Sequence, residues 1–136
     1  MCPFCNRELG ELAEFEPKFA ALAYRIIAIG TDTPAGLAPA AEKNHVAYRL
    51  LSDPDMVAAD AYHVAFRADP ATAKKYAGYK IELAHVPGEP EARWLPVPAA
   101  YVIGRGRVIR FAFSNPDYKV RVPAAQPLAA AEAAAR

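Results

Sequence analysis

The sequence predicts an α/β fold, with a mixed central sheet flanked by helices and an antiparallel hairpin near the end. Apolar residues recur at helical spacing from Glu8 to Ala23, which predicts a long first helix. The run 25–29 is rich in β-branched residues and is closed by Gly30, as is typical of a buried parallel strand. Two later apolar runs flank Gly104–Arg107, which is a strong hairpin signal. Crossover units followed by a hairpin indicate a layered α/β domain.

The remaining elements follow from local signals. Pro17 should kink the first helix because it removes a backbone donor and crowds the preceding turn. Thr33 before Pro34 predicts a helix N-cap followed by proline in the first turn. Region 63–95 lacks clear periodicity, and we interpret it as a long insertion within a single domain spanning 1–136. The predicted elements are helix 8–23, strand 25–29, helix 33–45, strand 48–51, helix 56–62, a short helix near 71–76, strands 99–103 and 108–113, and an alanine-rich helix from Pro127.

Composition excludes several classes of function. The net charge is +1 and basic residues are scattered, so we expect no nucleic-acid partner. No apolar run approaches the roughly 18–20 residues that span a bilayer, and no signal peptide is visible. We therefore expect a cytoplasmic protein without a membrane partner. The chain has only two cysteines, and in a reducing compartment such a close pair is catalytic or metal-binding.

The cysteines form the motif Cys2-Pro3-Phe4-Cys5, which opens the first helix. A thiol at a helix N-terminus faces unpaired backbone donors and the positive end of the helix dipole, which favour the thiolate. The second sulfur lies within one turn of the first and can displace a bound substrate sulfur. We predict that Cys2 attacks, that Cys5 resolves, and that Cys2 is the more exposed of the two.

A zinc site is the alternative for this motif. It would need further ligands, and the candidates His45, His63 and His85 lie 18 and 22 residues apart, without the spacing of known zinc sites. We expect no metal and no cofactor, and we interpret each histidine as a surface or capping residue.

A second candidate feature is Val97-Pro98, which precedes the apolar strand 99–103. Proline is allowed at the first position of a strand. With a CxxC motif upstream, we predict a cis Val97–Pro98 bond that faces the cysteines and exposes the Val97 backbone to an extended substrate.

These motifs together resemble the thioredoxin superfamily and, more narrowly, the peroxiredoxin-like branch of the alkyl hydroperoxide reductase/thiol-specific antioxidant family. The likeness runs from Cys2 to about Tyr118, and includes 48–62, 95–103 and 115–118. It implies a thiol oxidoreductase in which Cys2 is the attacking and Cys5 the resolving cysteine. It also implies a small peroxide or disulfide substrate, a thiol reductant of the thioredoxin or glutathione type, and a possible homodimer.

Three departures from that family shape the expected activity. The threonine three residues before the attacking cysteine has no counterpart here, and Pro98 occupies the position of the family's peroxide-binding arginine. The strand that should precede the CxxC helix is also missing, which suggests a fragment or a misassigned start. We expect a poor peroxidase that retains disulfide exchange. The alternatives are a thioredoxin- or glutaredoxin-like disulfide reductase and a non-catalytic binding module with this fold.

Overall fold

A computed structural model describes residues 2–136 of the chain. Helices and strands alternate along most of its length, and the chain ends in a helix. The elements are α1 (Pro3–Ala21), β1 (Ile27–Gly30), α2 (Pro34–Lys43), β2 (Arg49–Ser52), α3 (Val57–Ala61), β3 (Ala65–Arg67), α4 (Pro70–Gly78), β4 (Ala84–Val86), β5 (Glu89–Pro96), β6 (Ala99–Ile103), β7 (Ile109–Ser114) and α5 (Ala125–Ala135).

The strands form three small sheets. β1 and β2 pair in parallel, as two strands joined by a helical crossover should. β6 and β7 form the predicted antiparallel hairpin, with a turn of 3₁₀ helix at Arg105–Arg107 in which Gly106 has φ 73°. Within residues 2–136 no strand precedes α1, and the parallel pair and the hairpin belong to separate sheets.

The interpretation of 63–95 as an insertion stays a prediction; the short helix expected near 71–76 is present as α4, and the strands of this region were not predicted. This region contains α4 and an antiparallel sheet in the order β3-β5-β4. Val86 pairs with Glu89, so Pro87-Gly88 forms a tight two-residue turn, in which Gly88 has φ +88°. The sequence pattern fails here because β3 and β4 have three residues each, which is too short for alternation to be visible.

The first helix and the Thr33 cap are confirmed, the kink at Pro17 stays a prediction, and the expected burial of β1 is wrong. Thr33 caps α2, and its side-chain oxygen accepts a hydrogen bond from the Gly36 amide at 3.2 Å. α1 continues through Pro17 to Ala21. In β1, Ile27 and Ile29 are 53% and 50% exposed, because one face of the parallel pair is left uncovered by the described residues.

Four helices end in the same way, with a non-glycine residue in the left-handed conformation. After α1 this residue is Ala23, with φ 61°, and the next amide, of Tyr24, donates to the carbonyl of Phe19 at 3.0 Å. This is the 6→1 bond of a Schellman motif. The corresponding left-handed residues after α2, α3 and α4 are His45, His63 and Lys80. Two of the three histidines therefore are capping residues, as predicted.

The core that holds α1 in place lies between α1, the hairpin and α5. Its buried members are Phe19, Val102 and Ala131, one from each element. Partly buried apolar side chains of the same elements and of the segment after α1 pack around them, among them Phe15 and Leu128. Because α1 carries the CxxC motif, this core fixes the position of both cysteines. No helix among the described residues is long and apolar enough to span a membrane.

Candidate functional site

Cys2 and Cys5 lie at the start of α1, as predicted. Cys2 is the N-cap, with extended backbone angles of −67° and 152°, and Pro3 opens the helix. The sulfur of Cys2 accepts a hydrogen bond from the Cys5 amide at 3.1 Å. A disulfide joins the two residues across a Cα–Cα distance of 5.3 Å. The pair is therefore held in a geometry that allows a dithiol and a disulfide to interconvert within one helical turn.

The helix start supplies a positive environment for the Cys2 sulfur. The amide that binds this sulfur would otherwise be an unpaired donor at the end of α1, where the helix dipole is positive. Both effects favour a thiolate once the disulfide is reduced. Cys2 and Cys5 are both half-buried, so the greater exposure of Cys2 stays a prediction.

The segment 118–124, which we call the C-terminal strap, crosses α1 beside the disulfide. Three residues of α1 hold it, at positions i, i+4 and i+7 of one helical stripe. Phe4 meets the Tyr118 ring edge-on, with centroids 5.7 Å apart. Glu8 forms an ion pair with Arg121, and the Glu11 carboxylate accepts a hydrogen bond from the Ala124 amide at 2.8 Å. The strap is therefore fixed along the helix that carries the cysteines.

Arg121 brings its guanidinium to the two sulfurs. Its Nη2 lies 3.4 Å from the sulfur of Cys5 and 4.0 Å from that of Cys2. Its Nη1 bonds Glu8, and its Nε donates to the Tyr118 carbonyl at 2.9 Å. With only 17% of the side chain exposed and every nitrogen engaged, the guanidinium is held in one place.

Glu8 also influences the pKa of Tyr48, which is bonded to α1. The Tyr48 hydroxyl donates a hydrogen bond to the Leu9 carbonyl at 2.8 Å. Burial, and secondarily the negative charge of Glu8, raise the pKa of Tyr48 to about 12. Tyr48 is thus a neutral donor that ties β2 to α1 at physiological pH.

The predicted cis bond at Val97–Pro98 is wrong, because every described peptide bond is trans. The two residues continue the chain from β5 to β6. The Val97 amide donates to the Val64 carbonyl at 2.7 Å, and the Pro98 carbonyl accepts from the Asn115 amide at 3.2 Å. The trans isomer is the one that X–Pro bonds ordinarily adopt, and these two bonds hold the chain between β5 and β6. They also engage the Val97 donor that was expected to pair with a substrate, and a substrate-binding role for Val97 and Pro98 stays a prediction.

No group of three or more histidine, cysteine or acidic side chains that could hold a metal occurs within residues 2–136. His85, the histidine that does not end a helix, lies 3.1 Å from Arg93 and 3.2 Å from the Pro90 carbonyl, in the β4–β5 hairpin.

Arg121 is the site residue that the sequence interpretation missed. It lies 116 residues after Cys5 in an irregular segment between β7 and α5, where no periodicity or motif marks it. The family resemblance predicts an arginine at the position that Pro98 occupies. The guanidinium instead reaches the sulfurs from the C-terminal strap.

Comparisons with known proteins agree with this architecture. A model of the AhpC/TSA family matches residues 1–112. No curated protein sequence matches the chain significantly. Among solved structures, the chain is similar to the peroxidoxin BcpB from Mycobacterium tuberculosis, with a TM-score of 0.70 and 21% sequence identity. The alignment covers 98% of this chain and 72% of that one, and at this identity the likeness establishes a thioredoxin-like fold.

Proposed function

The chain belongs to the AhpC/TSA family, and on that premise we propose that it is a dithiol oxidoreductase whose Cys2–Cys5 pair reduces disulfides and, more slowly, small peroxides. The observation that carries the proposal is the disulfide at the first turn of α1, with the Cys5 amide bonded to the Cys2 sulfur. A thiol reductant of the thioredoxin or glutathione type would return the pair to the dithiol. We expect this cycle in a reducing compartment such as the cytoplasm, and a homodimer is compatible with it.

Disulfide reduction takes two exchange steps. The Cys2 thiolate attacks one sulfur of the substrate disulfide, forming a mixed disulfide and releasing the other sulfur as a thiolate that takes a proton from water. The Cys5 thiolate then attacks the sulfur of Cys2. This forms the Cys2–Cys5 bond and releases the second substrate thiolate, which is also protonated by water. The substrate gains two electrons and two protons, and the dithiol loses them.

Peroxide reduction would use the same residues in the same order. The Cys2 thiolate attacks one peroxide oxygen, the O–O bond breaks, and the alkoxide or hydroxide leaves and is protonated. The Cys5 thiolate then attacks the sulfur of the resulting Cys2 sulfenic acid. This forms the Cys2–Cys5 disulfide and releases hydroxide, which takes a proton and becomes water. This route requires the O–O bond to be polarised, and Pro98 stands where the family carries a strand-start arginine that does so. Sulfur exchange requires only a thiolate, an accessible disulfide and a resolving thiol.

The test compares wild type with Cys2→Ser and Cys5→Ser in two assays with excess dithiol, after subtracting the rate of the dithiol alone. We expect measurable insulin disulfide reduction, weak hydrogen peroxide consumption, and loss of both in Cys2→Ser. Cys5→Ser should accumulate a mixed disulfide on Cys2, visible as a mass increase that dithiol removes. Peroxide turnover as fast as that of an efficient peroxiredoxin would reverse the ranking of substrates. Activity unchanged in Cys2→Ser would refute the mechanism, and inactivity of the wild type would favour a non-catalytic binding module.

A further inference from the structure

The resolving sulfur has a different electrostatic partner from the attacking one. The Cys2 sulfur takes the Cys5 amide at 3.1 Å, so the helix start serves Cys2. The Cys5 sulfur lies closer to the Arg121 guanidinium, at 3.4 Å against 4.0 Å for Cys2. Arg121 therefore contacts both sulfurs and lies nearer to that of Cys5, whereas the backbone amide at the helix start bonds the sulfur of Cys2.

We propose that Arg121 is a catalytic residue that holds the reduced Cys5 sulfur as a thiolate, so that resolution does not wait for a base. This rests on the proposed function. A thiolate, and not a thiol, is the nucleophile in exchange, and a cation in contact with the sulfur favours the charged form. On reduction the proton of Cys5 goes to solvent. The Cys5 thiolate then attacks the sulfur of Cys2 and expels the substrate thiolate or, after peroxide, hydroxide.

The surroundings of Arg121 support this role. The ion pair of Nη1 with Glu8 and the bond from Nε to the Tyr118 carbonyl orient the guanidinium so that Nη2 faces the sulfurs. Low exposure weakens screening by water and salt, so a contact at this distance acts strongly on the sulfur. The negative charge of Glu8 acts against a thiolate on Cys5. This opposition is weakened because Glu8 is itself paired with Arg121.

The other ionisable groups near the pair are placed less favourably. Lys119, the second cation of the strap, lies 5.8 Å from the centre of the Tyr118 ring. Glu11 bonds the Ala124 amide one turn further along α1. The Cys2 sulfur, which the disulfide joins to Cys5, is a further ionisable neighbour once the pair is reduced. Arg121 is thus the cation in contact with the sulfur, and Lys119 is a natural control for a change in charge on the same strap.

The experiment measures Cys5 by itself, and so needs no substrate turnover. In the Cys2→Ser variant, Cys5 is the remaining thiol, and serine is a good N-cap residue that should preserve the helix start. The rate at which iodoacetamide alkylates Cys5 is measured from pH 4 to pH 10. Adding Arg121→Gln should raise the pH midpoint of alkylation by at least about one unit, a tenfold loss of thiolate below the midpoint. Adding Lys119→Gln should leave the midpoint unchanged within about 0.3 units, because that cation does not contact the sulfur. In Cys5→Ser, Arg121→Gln should shift the midpoint of Cys2 by less than that of Cys5.

Two outcomes would overturn the proposal. One is an equal Cys5 midpoint with and without Arg121. The other is an equal shift for Cys2 and Cys5, which would indicate a general change at the helix start. Arg121→Met, which keeps the aliphatic packing and loses the charge, is measured in parallel with Arg121→Gln. The proposal is judged on whichever variant keeps the native circular dichroism spectrum. A failure of both insulin and peroxide turnover in wild type, with the midpoint shift present, would refute the proposed function and the catalytic role of Arg121, and would leave only its effect on the charge of the Cys5 sulfur.

Discussion

Replacing Ala23 by glycine should stabilise the protein, although glycine ordinarily weakens a structure. Ala23 ends α1 with φ 61°, in the left-handed region, and its side chain is exposed. For a residue with a Cβ this conformation costs about 1–2 kcal/mol, and glycine removes that cost. Glycine also adds about 0.5–1 kcal/mol of unfolded-state entropy, which opposes the gain. The net expectation is a stabilisation of about 0.5–1 kcal/mol, or roughly 2–4 °C in Tm.

Ala20→Gly is the matched control, because it makes the same chemical change three residues earlier, at an exposed site inside α1. There the backbone is helical and glycine should cost about 0.5–1 kcal/mol. Urea unfolding of both variants and wild type, with coincident fluorescence and circular dichroism, gives the two signs directly. If Ala23→Gly destabilises as much as Ala20→Gly, the left-handed helix end does not carry the strain argued here. Neither variant should change the alkylation midpoint of the cysteines, which lie at the opposite end of α1.

Two further predictions concern the supports of the site. Because the pKa of Tyr48 is raised to about 12 in the folded protein, its contribution to stability should be complete below about pH 10 and lost as pH rises through 12. The urea midpoint of wild type should therefore fall more steeply over that range than that of Tyr48→Phe, and parallel curves would refute the assignment. Asp53 accepts hydrogen bonds from the Ala58 and Ala59 amides at 3.0 and 3.1 Å, so Asp53→Ala should cost about 1–2 kcal/mol and Asp53→Asn less. Equal losses in the two variants, measured by urea unfolding, would show that the acceptor oxygens are not what matters.

The parts of the fold that the sequence predicts well depend on neighbours within one or two turns. The stripe of α1, the Thr33 cap and the glycine-containing turn before β7 are all local signals, and each is found where the sequence places it. The β3-β5-β4 sheet was not predicted because its edge strands are too short to show an alternating pattern. Pro87-Gly88, between two apolar segments, was nevertheless a usable turn signal. The exposure of Ile27 and Ile29 was not predicted for a different reason. An apolar strand pattern does not say how many neighbours a strand has.

The candidate site divides in the same way. The position of Cys2 and Cys5 at a helix start follows from four consecutive residues. The hydrogen-bond partners of Val97 and Pro98 are Val64 and Asn115, which are distant in sequence and which no local signal identifies. Arg121 reaches the sulfurs only because the C-terminal strap returns across α1, a consequence of tertiary packing that no spacing rule contains.

The return of the strap has a consequence for biosynthesis. Cys5 is added 116 residues before Arg121, so at roughly 5–20 residues per second roughly 6 to 23 s separate the addition of these two residues by the ribosome. During that interval the cysteines lack the guanidinium that we propose acts on Cys5, and the helix that bears them lacks the core residues of α5. A nascent chain therefore carries two thiols but not yet the site that we propose. Under that proposal, resolution assisted by Arg121 begins only after the C-terminal strap has been added and has folded back across α1.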